Sequence, residues 1–556
     1  MPTIDCSLKD INYLIGKKLS IKAIEELLVY AKAEIEFFDN IDTLRIKFED
    51  TNQPYLWSTE GMARLFRGIL NIKTGIGDYT AKPSKDKIII DKSVQHIRPY
   101  IAAFSASGPA ITDAFIRQLI QFQEKLCEGY GMKRRKVSIG VYRYKDITFP
   151  VTYKTVVPTS IKFIPLGGTK PLNLTEILKL HPTGQSYAWI LDNCAMYPLL
   201  IDARNAVLSF PPIINSDHLG KIKVGDTDLL VELTGIDLDA LHLVCNILAA
   251  AFVDRGWYVS SIKTVYDNYV DITPSFKTET IMLEPASVFS SLGINLTSPE
   301  LVKLLERMRY GTRGKRVIIP SYRGDVMHPI DVIEDVAIAY GYNNIPNKPL
   351  QTYTVGESKS TVKFIDACRD VLVGMQFQEI LSPILSSKAL LYTKMNHPDN
   401  GTVELREYKS ENYSVLRTWI LPLLMDCISQ NKHNTTPQCI FETGEVSNRK
   451  GKTIIDSNHF AFAMADANVD YTKAKQVVDA LMRALDISYS TSPALHPSFT
   501  PGRCAEILVQ GESFGYVGEI YPGVLDTFEI RTPVVGSEIN LTKLFDKKKI
   551  KKLPEN

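Results

Sequence analysis

The sequence predicts an α+β protein built from several domains. The chain has 556 residues, enough for roughly three or four domains with cores of their own. Helical periodicity and strand-like alternation are mixed over the first 350 residues, and several short strands alternate with helices from residue 360 onward. Hydrophobic residues make up 45% of the chain and charged residues 23%, which is typical of a globular protein.

Composition restricts the kinds of partner and compartment that suit the chain. Lys and Arg number 64 against 62 Asp and Glu, so the net charge is only +2, and any RNA contact must come from a local patch or a partner. The longest apolar run, residues 243–253, is shorter than the ~20 residues that span a bilayer, and the N-terminus lacks a secretory leader. Scattered cysteines without a C-x-x-C motif favour a reducing compartment. We expect a cytoplasmic protein without membrane contact.

Residues 1–85 predict a small N-terminal domain of helices and a strand. Three serines each precede an apolar stripe at helical spacing and are suited to cap a helix: Ser7, Ser20 and Ser58. Residues 44–48 alternate as a strand does. Arg64, in the third helix, is expected at the surface.

Residues 90–265 predict a mixed α/β domain. Residues 114–128 have helical periodicity, and residues 238–253 form a helix that is apolar nearly all round and therefore central. Residues 229–233 alternate as a strand, and Pro211-Pro212 fixes an extended loop before it. Periodicity alone predicts no more than a strand, a loop and a strand in this stretch.

Residues 270–350 predict a compact helical module that resembles DNA-binding domains. A helix begins at Ser298 and is expected to stop at Gly311, and residues 317–319 form a short buried strand. Several arginines make the module locally basic, although solvated surface charge explains them as well.

A further helix begins at Pro329 and carries an acidic face. Proline suits the first helical position, and Gly341 can end the helix. At about 100° per residue, three carboxylates share one face and a fourth lies in the preceding turn: Asp331, Glu334, Asp335 and Asp325. A solvated acidic face and a site for a hard cation such as Mg²⁺ both explain this pattern. Spacing alone does not choose between them.

Residues 322–346, YRGDVMHPIDVIEDVAIAYGYNNIP, resemble a pattern of the phenylalanyl-tRNA synthetase β subunit. That pattern reads Y-R-x-D-(I/V)-x-H-x-x-D-(I/V)-x-E-D-(I/V)-A-x-A-Y-G-Y-N-x-I and is matched without a gap. The resemblance implies that four acids hold a Mg²⁺ shared with the catalytic α subunit: Asp325, Asp331, Glu334 and Asp335.

Residues 199–237 resemble the editing domain of the archaeal and eukaryotic form of this family, through SFPPIINS and ELTGID. The resemblance implies that four residues line a pocket that hydrolyses tRNA(Phe) mischarged with tyrosine: Leu200, Ser209, Glu232 and Thr234. Glu232 stands where archaeal members often carry Asp, which keeps the charge and moves it by one methylene. An apolar amino-acid pocket rejects an analogue with an added hydroxyl, such as tyrosine in place of phenylalanine, only about a hundredfold. A second, hydrolytic site is therefore needed to remove the error.

Residues 360–556 predict an antiparallel sheet that carries helices, and HPSFTPGRCAEILVQGESFGYVGEIYPGVLDTFEI resembles the family's catalytic-like domain, a relative of class II synthetase cores. A working core needs arginines to hold the ATP phosphates. This chain has Glu442 in Ile-Phe-Glu at the first such position and no G-x-G-x-x-R later. Arg503 is expected to form a structural salt bridge, and the tail 547–552 to be solvated.

The resemblance spans nearly the whole chain and implies four domains: residues 1–85, 90–265 with the editing site, 270–350 with the acidic cluster, and 360–556 as a non-catalytic class II-like core. It implies the β subunit of phenylalanine–tRNA ligase, which joins an α subunit in an α2β2 tetramer, binds tRNA(Phe), and serves an enzyme that uses ATP and Mg²⁺. Two alternatives remain: a free-standing tRNA-binding module and a self-sufficient aminoacyl-tRNA deacylase.

Overall fold

A computed structural model of the chain describes residues 2–39, 41–350 and 352–549. The chain divides into two compact units, residues 1–349 and residues 350–556. Helices and strands are mixed in both units, so the α+β multidomain class is confirmed. The final helix reaches Lys549, and the rest of the lysine-rich tail, residues 550–552, lies outside the described residues.

The strands of the first unit are β1 Thr3–Ser7, β2 Ala33–Phe38, β3 Thr43–Phe48, β4 Lys82–Ile90, β5 Tyr100–Ser107, β6 Val137–Arg143, β7 Val151–Val156, β8 Lys162–Phe163, β9 Leu172–Asn173, β10 Tyr197–Ile201, β11 Val207–Phe210, β12 Ile214–Asn215, β13 Asp228–Gly235, β14 Tyr258–Val265, β15 Val270–Thr273, β16 Glu279–Met282, β17 Gly311–Arg313 and β18 Arg316–Ile319. Its helices are α1 Leu8–Ile15, α2 Ile21–Leu28, α3 Thr59–Ile69, α4 Asp113–Lys125, α5 Leu174–Leu180, α6 Pro182–Tyr187, α7 Asp217–Gly220, α8 Leu238–Asp254, α9 Pro285–Leu292, α10 Ser298–Arg307 and α11 Pro329–Tyr340.

The N-terminal elements form a three-stranded sheet, β1-β3-β2, packed with α1 to α3. The three predicted serine caps are confirmed, because each hydroxyl accepts a backbone N–H from the first turn of its helix. The surface position predicted for Arg64 is wrong. Its guanidinium is buried, pairs with Asp254 at 2.6 Å and lies 4.1 Å from the ring centroid of Tyr322. These partners are far away in sequence, so helical spacing gave no sign of them.

A ten-stranded mixed sheet occupies the middle of the first unit. Its order is β12-β11-β10-β7-β4-β14-β5-β13-β6, and β15 pairs with β14. Strand β13 lies between β5 and β6 and is antiparallel to both. Its register places Glu232 opposite Gly140 and Thr234 opposite Ser138. Helix α8 is buried along almost its whole length against this sheet, as its apolar sequence predicts.

A third sheet, β16-β18-β17, carries α9, α10 and α11. The predicted strand and the helix after Pro329 are confirmed, and Gly341 ends that helix with φ 91°. The predicted stop of the preceding helix at Gly311 is wrong. That helix ends at Arg307, and Gly311 begins β17, because Met308 already caps the helix.

The second unit is built on one long sheet. The strands of the whole unit are β19 Gln378–Glu379, β20 Leu385–Ser386, β21 Val415–Leu416, β22 Gln438–Lys450, β23 Thr453–Ala465, β24 Ser490–Pro493, β25 Phe499–Val509, β26 Glu512–Ile520 and β27 Val534–Asn540. Its helices are α12 Ser360–Gly374, α13 Leu421–Gln430, α14 Tyr471–Ala484, α15 Pro522–Thr527 and α16 Leu541–Lys549.

The seven strands of that sheet follow the order β19-β22-β23-β27-β26-β25-β24, and every pairing is antiparallel except that of β19 with β22. Successive residues of β23 enter different cores. Phe460 and Phe462 pack with α12, α14 and α16, whereas Ala461 and Ala463 pack with α13 and α15. The predicted antiparallel sheet with helices is therefore confirmed, with helices on both faces.

Candidate functional site

A cavity of about 170 Å³ lies beside β13 and is walled by β6, β11 and β12. Seven polar residues are among its lining: Gln123, Arg134, Ser138, Thr183, Ser209, Asn215 and Glu232. Two of them, Ser209 and Glu232, belong to the pocket that the resemblance implies. The Pro211-Pro212 segment and the isoleucines after it form the apolar side of the same cavity.

Glu232 is the acidic group of this cavity and is only 3% exposed. Its Oε1 accepts a hydrogen bond of 2.7 Å from the hydroxyl of Tyr142, whereas its Oε2 has no hydrogen-bond partner among the described residues. Burial raises the pKa of this carboxyl to about 7, although Tyr142 and Arg98 act in the opposite direction. One carboxylate oxygen is therefore fixed, and the other is open to a ligand.

Gly140 leaves the space in which Glu232 and Tyr142 meet. A Cβ at this position would lie 2.3 Å from the Tyr142 hydroxyl oxygen and 2.6 Å from Glu232 Oε1. Both contacts are too short for any side chain larger than hydrogen. Glycine on β6 is thus required by the arrangement of its neighbours on the sheet.

Ser209 and Leu200 lie opposite each other on β11 and β10. The Ser209 hydroxyl is buried at the cavity wall and has no hydrogen-bond partner among the described residues. Leu200 is fully buried in the apolar core together with Tyr142 and is not among the residues that line the cavity. Because directly opposite residues project to the same face of a sheet, Leu200 packs beside Ser209 and supports the wall from the side.

Thr234 lies beside the cavity, on the same face of β13 as Glu232, but is not among the residues that line it. It is fully buried, and its hydroxyl is 2.9 Å from that of Ser138, which does line the cavity. The guanidinium of Arg98 donates to both hydroxyls, at 2.9 Å to Thr234 and 3.0 Å to Ser138. Burial lowers the pKa of Arg98 to about 10.

Three residues of this site were missed by the sequence analysis: Arg98, Ser138 and Tyr142. Ser138, Gly140 and Tyr142 alternate along β6, so a period of two could have placed them on one face. Nothing in the local sequence indicates that this strand pairs with β13, and Arg98 approaches from outside both strands.

Two of the four predicted metal ligands, Asp325 and Asp335, share one guanidinium. Arg323 contacts Asp325 Oδ2 at 2.5 Å and Asp335 Oδ2 at 2.9 Å, and all three side chains are at most 4% exposed. The hydroxyl of Tyr310 donates to the same oxygen of Asp335 at 2.6 Å. Burial raises the pKa of Asp335, while Arg323 opposes the rise.

The other two acids have separate partners. Asp331 accepts the backbone N–H groups of Met327 and His328, both at 2.8 Å, and so caps its own helix. Glu334 lies 2.7 Å from Lys32. Within the described ranges, no three His, Cys, Asp or Glu side chains are grouped so that they could hold a metal ion. As they lie, the four acids are satisfied by protein groups and do not fit a magnesium ion.

The second unit contains a buried ion pair at Glu442, in the Ile-Phe-Glu stretch of the sequence. Arg417 contacts Glu442 at 2.5 Å, and their side chains are 2% and 1% exposed. Arg417 also donates to Ser382 and to the Glu445 carbonyl. The predicted salt bridge of Arg503 is confirmed, because it lies 2.8 Å from Glu519.

Comparison with known proteins gives the class to which these features belong. Residues 281–342 match the model of the tRNA synthetase B5 domain, and residues 345–541 match that of the phenylalanyl tRNA synthetase beta chain CLM domain. Both models describe parts of aminoacyl-tRNA synthetases.

Full-length relatives give the family. The chain is 36% identical to the phenylalanine–tRNA ligase beta subunit of Pyrococcus furiosus, over 98% of this chain and 100% of that one. It is 35% identical to that of Thermococcus kodakarensis, over 98% and 99% of the two chains. A solved N-terminal fragment of the phenylalanyl-tRNA synthetase beta subunit from Pyrococcus horikoshii covers 61% of this chain and all of the fragment, with 35% identity and a TM-score of 0.60.

The chain belongs to the family of phenylalanine–tRNA ligase beta subunits, in its archaeal form. The resemblance drawn from the sequence is thereby confirmed. None of the helices in the part of the chain that the structure describes has the length and apolar character needed to cross a membrane.

Proposed function

We propose that this chain is the β subunit of an α2β2 phenylalanine–tRNA ligase, in which an α subunit attaches phenylalanine to tRNA(Phe) with ATP and this chain removes tyrosine attached in error. Full-length similarity to named beta subunits supports the assembly and the overall reaction. We assign residues 1–85, 90–265, 270–350 and 360–556 to its four domains, with the editing site in the second.

The observation that carries the editing proposal is the cavity beside β13. Glu232 Oε2 and Ser209 Oγ are both buried and both without a hydrogen-bond partner among the described residues. Such atoms cost about 1 to 3 kcal/mol each if nothing satisfies them, so they are suited to a polar ligand. The ammonium of an aminoacyl ester can pair with ionised Glu232, and an oxygen or hydroxyl of the same ligand can meet Ser209.

Hydrolysis in this cavity requires an attacking water. The described residues that line it include neither His nor Cys, so we infer that the site holds and orients water instead of supplying a nucleophile. Glu232, with a pKa of about 7, can accept a proton at neutral pH. Leu200 and Thr234 lie beside the lining residues on the same face of the sheet and support them.

The second unit is proposed to be structural. Glu442 holds the buried Arg417, so this guanidinium is engaged within the protein and not directed at a nucleotide phosphate. We therefore assign amino-acid activation to the partner α subunit. The isolated chain is expected to give no ATP–pyrophosphate exchange, and robust exchange would overturn the assignment.

The family resemblance also implies a shared Mg²⁺ on Asp325, Asp331, Glu334 and Asp335. In the arrangement described above, Arg323 pairs with Asp325 and Asp335, and Lys32 pairs with Glu334. The metal proposal therefore requires both cations to leave their carboxylates when the partner docks. ATP and Mg²⁺ remain requirements of the assembled enzyme in this proposal.

The test is hydrolysis of Tyr-tRNA(Phe) by the full chain, assayed with and without the α subunit. Glu232→Ala combined with Ser209→Ala should abolish deacylation while phenylalanine charging by the tetramer stays intact. Glu26→Ala, at an exposed position of α2, is the matched control. Unchanged deacylation in the double variant would refute the pocket, and full activity without the α subunit would favour the self-sufficient deacylase.

A further inference from the structure

The hydroxyls of Ser138 and Thr234 form a pair whose hydrogen atoms can be assigned. The two oxygens are 2.9 Å apart, so one hydroxyl donates to the other. Arg98 donates from Nε to Thr234 Oγ1 and from Nη2 to Ser138 Oγ, so each hydroxyl also accepts a hydrogen bond from the guanidinium. A guanidinium has only donors, and this fixes both oxygens as acceptors toward Arg98.

One hydroxyl hydrogen remains after these bonds are made. If Ser138 donates to Thr234, the remaining hydrogen belongs to Thr234, which is fully buried, lies off the cavity wall and has no further acceptor among the described residues. If Thr234 donates to Ser138, the remaining hydrogen belongs to Ser138, which lines the cavity. A buried donor without an acceptor costs about 1 to 3 kcal/mol, so the second arrangement is favoured.

Two further hydrogen bonds hold Arg98 in place. Its Nη1 donates to the Arg135 carbonyl at 2.9 Å, and its Nη2 also donates to the Thr234 carbonyl. The guanidinium thereby ties β13 to the start of β6, the two strands that carry the hydroxyl pair. Its position, and with it the direction of both hydroxyls, is set before any ligand enters.

We propose that the Ser138 hydroxyl is a hydrogen-bond donor to an oxygen atom of the bound aminoacyl ester, and that Thr234 and Arg98 are the residues that position it. The inference rests on the proposed editing function and adds the Ser138 donor to the two groups already assigned to the ligand, the Glu232 carboxylate and the Ser209 hydroxyl. It explains how Thr234 serves the site although it does not line the cavity. Thr234 fills both acceptor positions of Ser138 together with Arg98, so that Ser138 can only donate.

The proposal predicts a specific dependence between two substitutions. Ser138→Ala should lower kcat/KM for Tyr-tRNA(Phe) deacylation about 10- to 100-fold, the range for one lost hydrogen bond in a buried site. Thr234→Val should cause a similar loss, because the Ser138 hydrogen would then be free to turn away. The Ser138→Ala, Thr234→Val double variant should be no worse than Ser138→Ala alone, since Thr234 acts only through Ser138.

Conservative variants separate this role from a general loss of structure. Ser138→Thr and Thr234→Ser each keep the hydroxyl and should retain deacylation within a fewfold of the unmodified chain. Phenylalanine charging by the tetramer should be unchanged in all variants that fold. If Ser138 donates to the ester carbonyl, Ser138→Ala lowers kcat; if it donates to an oxygen of the amino-acid side chain, the substitution raises KM, and either result supports the proposal.

The outcomes distinguish this proposal from the proposed function. If the unmodified chain and tetramer do not deacylate Tyr-tRNA(Phe), the editing function itself fails. If they do, and Ser138→Ala stays within twofold of them, the donor role of Ser138 is refuted. Multiplicative losses in the double variant, or loss of activity in Thr234→Ser equal to that in Thr234→Val, would refute the positioning role of Thr234.

Discussion

The ionisation of Glu232 gives the sharpest physical prediction, and Glu232→Gln is the substitution that tests it. Burial raises the pKa of this carboxyl from 4.5 to about 7. Because the pKa of Glu232 is higher in the folded chain than in the unfolded chain, folding favours the neutral carboxyl. The stabilising contribution of the group is complete below pH 4.5 and is lost as the pH rises through 7. Glutamine cannot ionise and has no such pH dependence.

The magnitude follows from the size of the pKa shift. At about 1.4 kcal/mol per pKa unit, the rise corresponds to about 3 kcal/mol in the free energy of unfolding. Most of this change falls between pH 5 and pH 8, so the stability difference between Glu232→Gln and the unmodified chain should shift by about 2 to 3 kcal/mol in favour of the variant over that range. Arg98, Tyr142 and Tyr153 are the other titratable groups near Glu232, and all are present in both proteins.

Hydrogen exchange of the β13 amides is a suitable assay, since their protection reports opening of the sheet that holds Glu232. The full chain and its variant are compared at pH 5 and pH 8, with Glu26→Gln as an exposed control. A difference that stays constant between the two pH values would refute the buried, raised-pKa carboxyl. Deacylation by the unmodified tetramer should rise with pH through about 7, because the substrate ammonium pairs only with the ionised form.

The remaining predictions concern packing and charge. Gly140→Ala should abolish deacylation and leave phenylalanine charging intact, because its Cβ would lie 2.3 Å from the Tyr142 hydroxyl oxygen; equal rates for variant and unmodified tetramer would contradict this. Glu442→Ala should destabilise the second unit by about 3 to 5 kcal/mol in denaturant unfolding, since it leaves the buried Arg417 without its counter-ion. Arg503→Ala removes an ion pair whose arginine is 59% exposed and should lower the free energy of unfolding far less than Glu442→Ala does; an equal loss in the two variants would refute the importance of burial.

Local sequence signals predicted the parts of the fold that depend on neighbouring residues. Ser58 caps its helix because the hydroxyl needs only a backbone N–H three residues on, and Gly341 ends α11 because a positive φ suits glycine. Arg64 was placed wrongly because its partner Asp254 is 190 residues away. The resemblance supplied Ser209 and Glu232, but Ser138 and Tyr142 reach the cavity only through the pairing of β6 with β13. The ion pairs that the acids make with Arg323 and Lys32 could likewise not be predicted, because helical spacing does not indicate which cation each carboxylate contacts.

The two sides of the proposed editing cavity differ in how firmly their strands are held in the sheet. This strand is hydrogen-bonded on both sides, to β5 and β6, so the main chain around Glu232 and Thr234 is held from two directions. The facing wall comes from β11 and β12, and β12 is the last strand at its end of the sheet. We therefore expect a change in the size of the proposed ligand to be accommodated by β11 and β12, while β13 keeps Glu232 and Thr234 in register.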